Sequence, residues 1–197
     1  DVAGTLEGSD VLVRDGLIAE VGKALVAADA RVLEANGRAL TPGLFGGLTA
    51  LGLEDVSAEI GSVDHAYTPG AVMPAQPLSM RPEFDVTYAY NPASMVIPVQ
   101  VIEGVTFTLL APSSMPGGSL VGGLGGLATL DGSSIDLLPA SRTLFVALGS
   151  GASPLTGNSR AAQFMLLDQA IRETRGALFE GDRLLTMAGR ETMAKFL

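Results

Sequence analysis

Four side chains with usable chemistry fall within seventeen residues of one another. Thr49 and Glu54 belong to the run LTPGLFGGLTALGLED, and Asp64 and His65 stand in SVDHAYTPG. A histidine does general acid–base work when it has a pocket and a partner carboxylate. His65 is the chain's one histidine, and with Asp64 alone it cannot make a metal site, which takes three or four protein ligands. An exposed loop histidine is the plainer expectation. Glu54 and Asp55 read in two ways, as pocket carboxylates or as charges facing solvent or a helix dipole. Thr49, Glu54, Asp64 and His65 are the pocket candidates.

Other patterns carry less. Gly123-x-Gly125-x-x-Ala128 has the outline of a dinucleotide fingerprint, but turn residues, Asp131-Gly132 and Ser133-Ser134, follow where a helix N-terminus should receive the pyrophosphate. A glycine-rich loop is expected there. Ser113-Ser114 and Ser133-Ser134 lack a nucleophile elbow. The absence of cysteine removes disulfides, thiolate catalysis and Cys-ligated zinc together. Twenty-one acids against twelve bases give a formal charge of −9, which argues against a nucleic-acid partner. Lys23 and Lys195 are the only lysines, too few for a polybasic membrane patch, and no apolar run is long enough to span a bilayer. The chain opens at Asp1 without Met or a basic leader, as a processed or trimmed start would.

The elements that must position these residues are legible in outline. DVLVRDGLIAEVG predicts a hairpin turning at Asp15-Gly16, and RVLEANGRAL predicts a second turn at Asn36-Gly37 between extended segments. Residues 1–40 thus suggest a small β-sandwich or meander. LFGGL reads as a buried strand, and residues 52–91 as a long irregular segment that lines a site or is a flexible insertion. A helix is expected from about Pro92, capped by Asn91, shortened or kinked by Pro98 and stopped at Gly104. VTFTLLAP and TLFVALG predict strands. The clearest helix spans 158–175, with Ala162, Met165, Leu166, Gln169 and Ala170 on its inner face and Phe164, Leu167 and Ile171 widening it. A last helix follows at about 187–197, capped by Thr186. This order favours parallel βα units over an antiparallel fold.

Gly16, Ile18, Val21 and Gly22, then Gly37, Pro42, Gly43 and Leu44, then Glu103-Gly104-Val105-Thr106, resemble the N-terminal region of the amidohydrolase superfamily, the imidazolonepropionase-like group in particular. The resemblance implies an α/β fold: a partial (β/α)8 TIM-like barrel over residues 41–197 with a small composite β-sandwich over 1–40. It implies hydrolysis of amide or cyclic-amide C–N bonds, usually by one or two divalent metals that activate water. The first two ligands in that family are the histidines of an H-x-H on barrel strand 1, sent to one side by strand alternation. Those positions here are Leu48 and Ala50, with Thr49 between them and Gly46 where an Asp is common.

The strand-1 metal site is therefore degenerate, and zinc or another divalent metal is expected only if its ligands come from elsewhere. A complete barrel takes about 250 residues, so a complementary C-terminal half or second chain is the expected partner, with a homo-oligomer as alternative and a small molecule as substrate. The competing functional reading is an inactive barrel kept as a binding or structural module. A third is a stand-alone α/β domain. A periplasmic location is suggested by the branch resembled, a cytoplasmic one being the alternative.

Overall fold

The computed structural model describes residues 4–68, 80–115, 118–132, 137–177 and 183–197. The chain divides into two compact units, Asp1–Thr41 and Pro42–Leu197. In the first, strands β1 (Asp10–Arg14) and β2 (Leu17–Gly22) pair antiparallel with an irregular step between Leu12 and Val13. Their turn places Asp15 at φ 51° and Gly16 at φ 76°, the left-handed pair that a two-residue hairpin loop needs. Asn36-Gly37 forms a second turn, closed by Arg38 N–H on the Ala35 carbonyl. Among the described residues its flanks pair with no strand, so this unit shows one hairpin.

The second unit is mixed α/β. Strand β3 (Leu44–Thr49) leads through a long connection to helix α1 (Val96–Ile102) and strand β4 (Val105–Leu110), which lies parallel to β3. Strands β5 (Val121–Thr129) and β6 (Thr143–Val146) follow, giving the order β3-β4-β5-β6. The expected run of parallel units is corrected here, because β4–β5 and β5–β6 are antiparallel. The physical reason is the connections. Among the described residues only the β3–β4 link carries a helix able to return the chain to the start of a parallel neighbour.

The predicted Gly123–Ala128 loop is likewise corrected, since it lies inside β5. The expected start of α1 also moves. Asn91, five residues before the helix proper, accepts from Ala93 N–H in a turn. Pro98 then falls in the first helical turn, where its missing N–H costs nothing.

Helices α2 (Arg160–Thr174) and α3 (Met187–Ala194) close the unit, capped by Ser159 and Thr186. The expected inner face of α2 is met in part: Ala170 is buried and Leu166, Leu167 and Ile171 pack against the core, but Gln163 and Glu173 are buried too and Phe164 and Met165 are more than 60% exposed. The side chains of two buried clusters fill the interior. One joins Leu120 and the first residue of β5, Val121, to α2 and α3 through Leu155, Ala170 and Met193. The other gathers Leu53, Val86, Tyr90, Ile97 and Leu110. Leu53, Val86 and Tyr90 of the 52–91 connection thus enter the core, and Glu54 and His65 of it line a cavity, whereas residues 55–59 are exposed. Pro82 in it is fully buried, while Pro69, Pro74 and Pro77 lie outside the described residues. No helix among the described residues is long and apolar enough to cross a membrane.

Candidate functional site

The site begins where β3 ends. Ala50 turns the chain, its carbonyl accepting from the N–H groups of Leu53 (2.8 Å) and Glu54 (3.1 Å). Leu53 drops into the core and Glu54 is left at the surface of a hollow. The loop beyond is stapled by Ser62, whose hydroxyl donates towards the carbonyls of Val56 and Glu59 and accepts from Val56 N–H. Asp64 N–H meets the Leu53 carbonyl at 2.9 Å, which brings the chain back alongside itself. His65 arrives with its Nε2 2.7 Å from Glu54 Oε2. Its carbonyl accepts from Ser113 N–H at 2.7 Å, fastening it to the segment after β4.

The expectation of an exposed loop histidine is overturned: His65 is 9% exposed and paired. In the tautomer that donates Nε2–H to Glu54, Nδ1 is bare, and this nitrogen is buried without a hydrogen-bond partner. Thr49, Glu54 and His65 come together on one open cavity of about 410 Å³, with Leu48, Ala50, Ser113, Ser114 and Phe145 among its walls. Asp64 is exposed. Asp55 is held by the hydroxyl of buried Ser94, and it borders a neighbouring hollow of about 500 Å³ that shares Thr49, Ala50 and Glu54 with the first.

Thr49 is fixed from behind. Thr108, fully buried on β4, donates to the Gly47 carbonyl at 3.0 Å, so the 2.7 Å contact between the two hydroxyls has Thr49 donating to Thr108. Sequence reasoning missed Thr108, because nothing in VTFTLLAP distinguishes a threonine that ties two strands from one that merely favours a strand. Thr108→Val leaves both β3 groups without this partner. It is expected to cost about 1 kcal/mol, read from the shift of the urea midpoint.

The carboxyl of Glu54 is held below the usual carboxylate range. Hydrogen bonds from Ser57 and then from His65 do this, against the opposing effect of burial, and the charge of His65 adds to it. A carboxylate depressed in the folded state stabilises the fold fully above its unfolded pKa and loses that contribution as pH falls through the folded value. Wild type and Glu54→Gln should therefore differ most in stability above the ordinary glutamate range. The gap should narrow on acidification below it, as followed by urea titrations across pH.

A divalent metal on β3 is not matched by the residues present. Leu48 and Ala50 offer no donor atom, and Glu54 and His65 Nε2 are engaged with one another. Among the described residues no three His, Asp or Glu side chains converge.

No protein-family model matches the chain. A dihydroorotase from Halalkalibacterium halodurans is 51% identical over 41 residues, which are 21% of this chain and 10% of that protein. The crystal structure of an amidohydrolase from Thermotoga maritima superposes on 92% of this chain with a TM-score of 0.72 at 20% identity. This chain spans 49% of that one. The fold described above is thus similar to that of about half of the Thermotoga protein.

Proposed function

We propose that this chain forms the first half of an amidohydrolase-like barrel whose whole hydrolyses C–N bonds of amides or cyclic amides. The observation that carries the reading is the fold likeness, which runs through 92% of this chain and spans 49% of its neighbour. The cavity fits that frame, since it opens at the C-terminal end of β3, the end at which barrel enzymes do their chemistry. In this reading the hairpin β1–β2 belongs to a composite β-sandwich, and the imidazolonepropionase-like group is the nearest branch. The strand-1 metal position has been given up to Leu48 and Ala50, and a complementary half supplies the remaining chemistry.

Strand β3 supports a completing partner. It lies at the edge of the four-stranded sheet with Leu44, Phe45 and Leu48 each more than half exposed, an apolar strand that soluble proteins normally cover. The test is to purify the protein with whatever chain accompanies it, weigh the assembly and assay amine release from cyclic amides and dipeptides, with elemental analysis alongside. Turnover by the assembly supports the reading; a complete partner with no turnover against the panel rejects it. The loss of donor atoms at positions 48 and 50 favours one second reading, a barrel retained as a binding or structural module, which predicts that second result.

A further inference from the structure

The cavity beside β3 has an unusual balance of groups. Among the described residues its walls contain one carboxylate, Glu54, and neither lysine nor arginine. Hydroxyls come from Thr49, Ser113 and Ser114, and the rest of the surface is apolar, including Leu48, Ala50 and Phe145. The imidazole of His65 also borders the cavity, but its nitrogens do not face a ligand there. Its ring is buried, Nε2 is committed to Glu54, and Nδ1 has no solvent contact and no partner. His65 is therefore poorly placed to take a proton from a ligand, and well placed to fix the carboxylate.

What Glu54 then does follows from its environment. A general base works best with a pKa near the working pH, whereas the bonds from Ser57 and His65 move this carboxyl the other way. A carboxylate kept ionised is instead a fixed negative charge, and a partly enclosed wall strengthens its pull on a cation. We propose that Glu54 anchors a positively charged nitrogen, so that the cavity takes a small primary amine with its ammonium group on Glu54 and a short apolar body against Leu48, Ala50 and Phe145. His65 is the positioning residue. Taken with the C–N hydrolysis reading, on which this last step rests, the substrate class narrows to amides that also carry an ammonium group.

Because His65 is the chain's one histidine, its ring resonances report on the cavity without ambiguity. The purified protein is titrated at about pH 8, above the ordinary imidazole range, with n-butylammonium, n-butanol and butyrate as probes. The expected result is a saturable shift of the His65 ring signals with n-butylammonium. The two other probes should bind about 10- to 100-fold more weakly, and Glu54→Gln should lose the same factor for the amine, the worth of one charge-assisted hydrogen bond.

Equal responses to butanol or butyrate, an unaltered amine affinity in Glu54→Gln, or no response to any probe would overturn the assignment. The three-probe comparison is made on the wild type, so it decides even where the variant misfolds. Amine binding without hydrolysis of ammonium-bearing amides leaves the anchor standing and sinks the hydrolase reading. Hydrolysis indifferent to the amine does the reverse.

Discussion

Gly125→Ala lowers stability by about 3 kcal/mol or more, at the upper end of what overpacking costs, whereas Gly151→Ala stays within about 0.5 kcal/mol of wild type. The measurement is the urea midpoint of each variant. A Cβ on Gly125 would lie 1.9 Å from the carbonyl oxygen of Leu110 and 2.8 Å from a ring carbon of Phe145. The first obstacle is backbone, and that backbone cannot yield: Leu110 is fully buried and paired with Gly126 in the β4–β5 ladder. Around Gly151 there is nothing within 4 Å.

Gly123 carries the same constraint with a second cause. It sits at φ 120°, and a Cβ there would lie 2.2 Å from the Phe84 carbonyl, which also accepts from Leu124 N–H at 2.6 Å. The glycines of β5 thus let the 80s segment and β4 approach the strand at backbone distance. A Gly125→Ala variant as stable as wild type would mean that β5 does not run where this fold places it.

Those glycines also mark where the sequence was readable and where it was not. VGGLGGLAT is poor in strand formers, and local propensity reads it as a loop. It is a strand because β4, β6 and the 84–85 backbone pack against it, a fact of tertiary contact that no window of nine residues contains. The hairpin at Asp15-Gly16 and the cap at Thr186 were visible, because each is a local bargain between a few neighbouring residues and their backbone groups.

The same contrast holds at the site. Thr49, Glu54, Asp64 and His65 could be singled out by residue type, and the structure gathers three of them on one cavity. Their geometry could not be foreseen. The Glu54–His65 contact depends on Ser62 closing the loop between them, and its anchor, Ser113, lies 48 residues beyond His65. The pair Asp85–Arg142 was equally hidden. Arg142 donates to both carboxylate oxygens and to Thr87, yet 57 residues separate the partners in the chain.

Helix α2 shows why periodicity found only part of the inner face: Ala170, Leu166, Leu167 and Ile171 do pack inward, Phe164 and Met165 do not. A hydrophobic pattern assigns polar side chains outward, but Gln163 and Glu173 point inward with their hydrogen bonds filled. Gln163 clamps Gly149, donating to its carbonyl and accepting from its N–H, both at 2.9 Å. Burying these two polar residues turns Phe164 and Met165 outward.

Glu173→Ala is expected to be the most damaging side-chain truncation in the C-terminal part of the chain, at about 3–5 kcal/mol. The carboxylate is 2% exposed and accepts from Leu184 N–H (3.0 Å), Leu185 N–H (3.0 Å) and Gln169 Nε2 (2.9 Å). Truncation leaves those donors without this acceptor, at about 1–3 kcal/mol for each buried donor left unsatisfied. It also loosens what they hold: Leu184 accepts from Met80 N–H at 2.7 Å, and Leu185 bridges to Met80. Glu173→Gln separates charge from hydrogen bonding. It keeps one acceptor oxygen but turns an NH2 donor towards a backbone N–H, and so should cost about 1–3 kcal/mol. Urea titration ranks the two variants, and amide exchange at Leu184 and Leu185 should rise in both, most in the alanine. If the glutamine variant proves as costly as the alanine, charge is the deciding term; if both are silent, the loop before α3 is held by apolar packing of Leu185 and Met193 alone.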